Sequence, residues 1–361
     1  MDQQNPPNKI KPVKPANGLP VFKAFGISDI IDGAVNGFVK NFKLFVLLAL
    51  PIALIAAGSF LFVPDRQVEM LSMMQEFQQG GDPGEMFKPD QMTGMLTSSA
   101  VNVVLHTFLW ICMMNIFLAV FTLAVSCIYT ERPVDASDIY RLSAKIAVNI
   151  IITTLLWCLL FIVLIAVCGG FAYLVYVVFI EDMSFSLLMV FTVLGTVTTA
   201  LAVIVIFFAR LFVFPSVVAL EGKSGLSALL RSWSLMSDGN LSFWQRPVIK
   251  VSILLTIITL IVGVIRGFSG IPMSTGMMMN VVPGIMDAMQ GNVDPQQMMK
   301  MFTPPSGTIL AVTYILRGLV ELVVTPFSMI AVILFYFDIR VRKEGFDLAK
   351  MTHEVDNVHI E

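Results

Sequence analysis

Six apolar stretches, each bounded by polar and charged residues, set the rhythm of this chain. Uncharged runs at 44–64, 100–130, 146–180 and 183–209 all exceed the roughly 20 residues a helix needs to cross a hydrocarbon core about 30 Å thick. Two further runs are interrupted. Arg266 and Gly267 continue the run at 251–265, and Arg317 and Glu321 lie within 308–337. Both are expected to be membrane helices, the last one tilted or packed inside the bundle. Lipid gives backbone N–H and C=O groups no partner, so runs of this length must be helical. The pattern predicts an all-α membrane protein, a bundle of six transmembrane helices. At 57% hydrophobic and 13% charged residues, the composition lies far from that of soluble domains.

A second pattern precedes some of the runs. Ile27, Ile30, Ile31, Val35 and Phe38 recur at helical spacing, as do Leu226, Leu229, Leu230, Trp233 and Leu235. These stripes predict short helices lying in the cytoplasmic interface and docked against the bundle. Trp233, Phe243 and Trp244 suit that headgroup depth.

The stripes also expose an internal repeat. Gly26-Ile27-Ser28-Asp29-Ile30-Ile31 precedes the first run and Gly225-Leu226-Ser227-Ala228-Leu229-Leu230 the fifth; Ser137-Asp138-Ile139-Tyr140 is a fainter echo before the third. In the following loops, Gln79-Gly80-Gly81-Asp82-Pro83-Gly84-Glu85-Met86 answers Gln290-Gly291-Asn292-Val293-Asp294-Pro295-Gln296-Gln297-Met298. The expected unit is an interfacial segment, a span, an outer loop and a returning span. Each copy starts on the same face, so the hairpin repeats are parallel and not inverted. Three interfacial segments are expected in all. Gly169 and Gly170, inside the long third run, are expected to mark a bend or a close helix contact.

Charge then orients the bundle. Segments 1–43, 130–145, 219–250 and 338–361 hold 17 of the 23 Lys and Arg residues, whereas 64–99, 181–185 and 271–306 hold only Arg66, Lys88 and Lys300. Basic residues stay cytoplasmic, which places both termini inside. The organisation predicted is a disordered cytoplasmic leader at 1–22, a first repeat plus the third span at 23–180, and outer loop 64–99 within it. Spans four to six at 181–337 hold the second repeat and outer loop 271–306, and 338–361 forms a cytoplasmic tail. The proline-rich start has too long a charged region for a signal peptide, and the first span is expected to stay as an anchor.

Two segments resemble a known group. Ala228-Leu229-Leu230-Arg231-Ser232-Trp233-Ser234-Leu235, followed by Asn240 and Phe243-Trp244, resembles its linker. The run Phe335-Tyr336-Phe337-Asp338-Ile339-Arg340-Val341-Arg342-Lys343-Glu344-Gly345-Phe346-Asp347-Leu348 is similar to its ending. The group comprises uncharacterised bacterial multi-pass membrane proteins similar to the membrane domain of glycerophosphodiester phosphodiesterases. The resemblance implies a bacterial inner-membrane bundle. It carries over no catalytic residue, because the phosphodiester chemistry of that family belongs to a separate soluble barrel. The closing run also has a local reading: Asp338 with Arg342 and Arg340 with Glu344 are i,i+4 pairs, and Gly345 is placed to end the helix.

Methionine is the compositional anomaly. The two long outer loops hold 15 of the 23 methionines. Met73, Met74, Met277, Met278, Met279, Met298 and Met299 are candidate thioether ligands for Cu(I), a soft ion suited to soft donors. The competing reading is packing or partner contact by Met-rich helices, with Asp294-Pro295 capping the second. No His or Cys joins the cluster, which favours packing. Cys112, Cys127, Cys158 and Cys168 all lie in apolar runs and read as small buried hydrophobes.

Ionisable residues inside spans mark function in membrane proteins, since a buried charge needs a partner. Arg266, Arg317 and Glu321, with His106, form the candidate intramembrane polar site. Arg317 and Glu321, four apart on one helical face, are expected to neutralise each other. No GxSxG, HExxH or P-loop is present, and no catalytic role or cofactor is assigned. A net charge of −2 without a basic patch excludes nucleic acid as a partner. Membrane lipids, and a protein partner or second copy, are the partners expected. The sequence thus predicts a non-enzymatic protein of the bacterial inner membrane that organises envelope or complex through its outer loops. A transporter or sensor of a small solute, lipid or Cu(I) is the alternative.

Overall fold

The computed structural model describes residues 24–58, 89–132, 135–179, 187–237, 244, 246–289 and 307–345. Among them, regular structure is entirely helical: α1 (Ile27–Lys40), α2 (Phe42–Gly58), α3 (Pro89–Tyr129), α4 (Ala136–Phe179), α5 (Leu187–Leu211), α6 (Phe214–Glu221), α7 (Gly225–Leu235), α8 (Pro247–Met289) and α9 (Gly307–Glu344). Five described stretches are long and apolar enough to cross a membrane: Thr107–Tyr129, Ala136–Val175, Phe191–Glu221, Pro247–Gly276 and Gly307–Glu344. The pair α1 and α2, bent by 95°, makes six if it counts as one span. This is a multi-pass, all-α membrane protein.

Both striped segments form their own helices. The chain turns sharply at Asn41, whose side-chain amide donates to Gly37 O at 3.0 Å and so closes the end of α1. The carboxylate of Asp29 accepts the Gly26 N–H at 2.9 Å and holds its start. Gly225 begins α7 with φ 59°, a left-handed conformation that glycine tolerates, and its N–H donates to Thr153 Oγ1 at 2.8 Å. The third expected interfacial segment is not a separate helix. Residues 137–145 are the first turns of α4, which runs unbroken to Phe179: neither Gly nor Pro interrupts them, and Ser143 turns its hydroxyl back onto the Ile139 carbonyl at 2.6 Å. The expected outer loops 64–99 and 271–306 are helical over their described parts: α3 begins at Pro89, and α8 continues from its span through Met289.

The chain packs as two compact units. Unit 1 contains Met1–Leu44, Ile111–Leu255 and Phe327–Glu361. Its core is built from Phe121, Leu123, Ile139, Val217, Leu229, Ile330, Phe335, Tyr336 and Phe337, all at most 2% exposed. Tyr129 meets Phe337 edge-on at 5.8 Å, and Thr122 Oγ1 lies 3.0 Å from Ser216 Oγ, joining α3 to α6. Hydroxyl groups buried this way also return a hydrogen bond to the carbonyl four residues back, as Thr122 does to Leu118 at 2.7 Å. Within this unit, 72% of the most apolar 18 residues of the α3 span are buried against 22% of those of the α4 span, so α3 is central and α4 faces outward.

Unit 2 contains Phe45–Trp110 and Thr256–Pro326. Here α2 and α9 approach at backbone distance. A Cβ on Gly318 would fall 2.8 Å from both Ala53 O and the Ala57 Cβ, so only glycine fits. The glycines expected to make such a contact do not: Gly169 and Gly170 have no described atom within 4 Å of a Cβ, and both lie on the exposed face of α4.

Candidate functional site

The intramembrane charges sort differently from their spacing. Glu321, buried in α9 with a side chain 4% exposed, is bound by Arg266 of α8 and not by Arg317. Arg266 Nε donates to Glu321 Oε1 at 2.8 Å and Nη2 to Oε2 at 3.0 Å, a bidentate fork. Thr325 Oγ1, one turn further along α9, donates to Oε2 at 2.9 Å. Arg266 is itself held in place, its carbonyl accepting Ser269 Oγ at 2.7 Å, and its side chain is 47% exposed. Arg317 points to the surface and makes no hydrogen bond or ion pair with a described residue. The i,i+4 neighbour lost the carboxylate because an arginine on the adjacent helix offers two parallel N–H bonds in one plane.

Thr325 was not visible as a site residue. The only signal was a small polar side chain one helical turn beyond a buried acid. The described residues of α3 include His106 in the backbone alone, so its side chain lies outside the description. Met278, 66% exposed, lies on α8. The side chains of Met277 and Met279, and residues Met73, Met74, Met298 and Met299, fall outside the described residues. No group of three His, Cys, Asp or Glu residues that would hold a metal occurs among those described. The four cysteines are free, with Cys112 and Cys127 buried and Cys158 and Cys168 half-buried.

A larger charged cluster lies in unit 1, around the closing run of α9. Asp338, 1% exposed, accepts the Phe25 N–H at 2.7 Å and Arg342 Nε at 2.8 Å, and also binds Lys250 Nζ. Lys250 and Arg342 both donate in addition to Phe25 O, at 2.6 Å and 2.9 Å. This knot fastens the chain before α1 to the ends of α8 and α9.

A second knot forms on Glu221 at the end of α6. It takes Arg231 Nε at 2.8 Å, Lys223 Nζ at 3.1 Å and Tyr336 Oη at 3.2 Å, with Arg340 at 3.8 Å. Arg340 also reaches Glu344 at 3.2 Å, and Arg231 binds Glu344 too. Burial alone would push the Arg231 pKa down, but bonds to Glu221 and Glu344 outweigh it and hold the value above the ordinary arginine range. Both i,i+4 pairs expected in the closing run are present. Gly345 ends α9 with φ 58°, its N–H bonded to Val341 O at 3.1 Å. These groups satisfy one another, and the arrangement fastens helices together.

A model of one protein family, described as a domain of unknown function (DUF8558), matches residues 21–289. The chain belongs to this family. The DUF8558 match spans α1 to α8 and stops before α9. It therefore includes Arg266 and the α7 segment, and excludes Glu321 and the charged closing run. No curated protein matches the chain, and no solved structure does.

Proposed function

We propose that this protein is a non-enzymatic component of the bacterial inner membrane that organises envelope proteins or a complex through its Met-rich outer segments. One observation carries the reading. Glu321, an acid within the apolar run of α9, has both carboxylate oxygens occupied by Arg266 and Thr325 and a side chain 4% exposed. A proton or solute pathway needs an acid that can change partners, and a bidentate guanidinium fork opposes that. The excess of Lys and Arg in alternate segments supports cytoplasmic termini. The likeness of the closing run to the membrane domain of glycerophosphodiester phosphodiesterases supports a bacterial inner-membrane location, and six spans follow if α1 and α2 share one crossing.

Native mass spectrometry of the protein released gently from its own membrane tests this. The expected result is a defined assembly, with itself or another protein, that survives the double substitution Arg266→Leu/Glu321→Leu. A monomer carrying a small solute or Cu(I), whose binding the double substitution abolishes, would replace the organising role with transport or sensing.

A further inference from the structure

Arg210 stands apart from the cations of the two charged knots in unit 1. Arg231, Arg340, Arg342 and Lys250 each hold a carboxylate. Arg210 makes no ion pair with a described residue, and its buried Nε has no hydrogen-bond partner among them. Its guanidinium carbon instead lies 4.7 Å from the centroid of the Trp233 ring. The stack is set by packing, since Ser232 Oγ donates to Arg210 O at 2.9 Å and fixes α7 against the end of α5.

Depth and surroundings narrow the missing partner. The 25 residues of α5 extend about 37 Å, enough to cross a hydrocarbon core, and Arg210 occupies the last turn. A core about 30 Å thick entered at the start of α5 would end near Arg210, at the level of lipid phosphates, where indole rings also settle. Beside the guanidinium, α7 presents Leu226, Leu230 and Trp233, 54%, 61% and 40% exposed, at i, i+4 and i+7. The result is a planar cation with no anion beside it among the described residues, next to an apolar strip one helix-face wide. We propose that this corner seats an anionic phospholipid: the phosphate bridges the two terminal nitrogens of Arg210, and an acyl chain lies along Leu226, Leu230 and Trp233. Guanidinium suits a phosphate bidentately, and cation–π contact orients the fork without neutralising it. The apolar strip distinguishes a lipid from free phosphate. The inference rests on the membrane architecture and is independent of the organising role proposed above.

The test uses the full chain in bilayers of phosphatidylcholine with a minor share of phosphatidylglycerol, followed by native mass spectrometry. The wild type is expected to retain phosphatidylglycerol. Arg210→Gln should lower that retention about tenfold, Arg210→Lys and Trp233→Leu less, and Lys43→Gln not at all. Equal retention by Arg210→Gln would overturn the proposal, as would an equal loss with Lys43→Gln, which would mark diffuse attraction. Release of the lipid from the wild type by millimolar inorganic phosphate would reassign the corner to free phosphate. Thermal unfolding in detergent checks that Arg210→Gln folds. Should it not fold, wild-type retention by Trp233→Leu overturns the seat.

Discussion

Unit 1 and unit 2 both bury carboxylates, and they neutralise them by different means. In unit 1, Asp338 answers to a backbone N–H and two cations, and Glu221 to a hydroxyl and three cations. In unit 2, Glu321 has one cation and one hydroxyl. A shared network fixes several segments at once: the chain before α1 with α8 and α9 in one knot, and α6, α7 and α9 in the other. A single pair joins only two helices. The comparison teaches where charge serves to assemble the fold and where it merely satisfies itself in lipid.

The largest effect should come from the centre of a knot. Asp338→Ala leaves Lys250, 8% exposed, without its carboxylate, and removing one member of a buried pair costs about 3–5 kcal/mol. The unfolding midpoint in detergent should fall accordingly, and Lys223→Gln, at the exposed rim, should barely move it. An equal response from the two would dissolve the distinction between centre and rim.

Glycine gives a second contrast of intermediate size. Gly318→Val drives a side chain into Ala53 and Ala57 and should cost about 1–3 kcal/mol, by the usual penalty for overpacking. Gly169→Val, in open space on α4, should stay within about 0.5 kcal/mol. Thermal unfolding of the two variants side by side reads the difference directly. A large loss at Gly169 would reveal a packed neighbour on the outward face of α4.

The smallest net effect should belong to the pair in unit 2. Glu321→Leu alone leaves Arg266 with no carboxylate, but its 47% exposure limits the loss to about 1–2 kcal/mol. Arg266→Leu/Glu321→Leu should recover most of that, since exchanging a buried pair for apolar side chains is often neutral. A double variant no more stable than the single would show the pair to be a structural requirement.

The sequence made local relations legible. Helices followed from uninterrupted apolar runs, and Asp338–Arg342, Arg340–Glu344 and the Gly345 stop followed from spacing within one helix. The separate helices α1 and α7 followed from their stripes, although the faces they bury were only partly readable: Ile30, Phe38, Leu229 and Leu235 are buried, whereas Val35, Leu226 and Leu230 are exposed. An interfacial helix is apolar toward both protein and lipid, so composition does not tell one side from the other. The break expected before the third span failed for a different reason. Resemblance to a segment that ends in a turn does not supply the turn: 137–145 contains neither Gly nor Pro, and Ser143 donates its hydroxyl to Ile139 O within the helix.

What the sequence by itself determined is the class of the molecule, because a long uncharged run has few ways to satisfy its backbone in lipid. Only the tertiary structure decided which charge meets which. Arg266 and Glu321 are 55 residues apart, and Arg317 sits closer to Glu321 along the chain yet stands exposed and does not pair with it. Likewise Gly318 matters and Gly169 does not, although both lie in long helices. Partner choice and close contact depend on which helix faces stand side by side, and helical spacing within one segment carries no record of its neighbour.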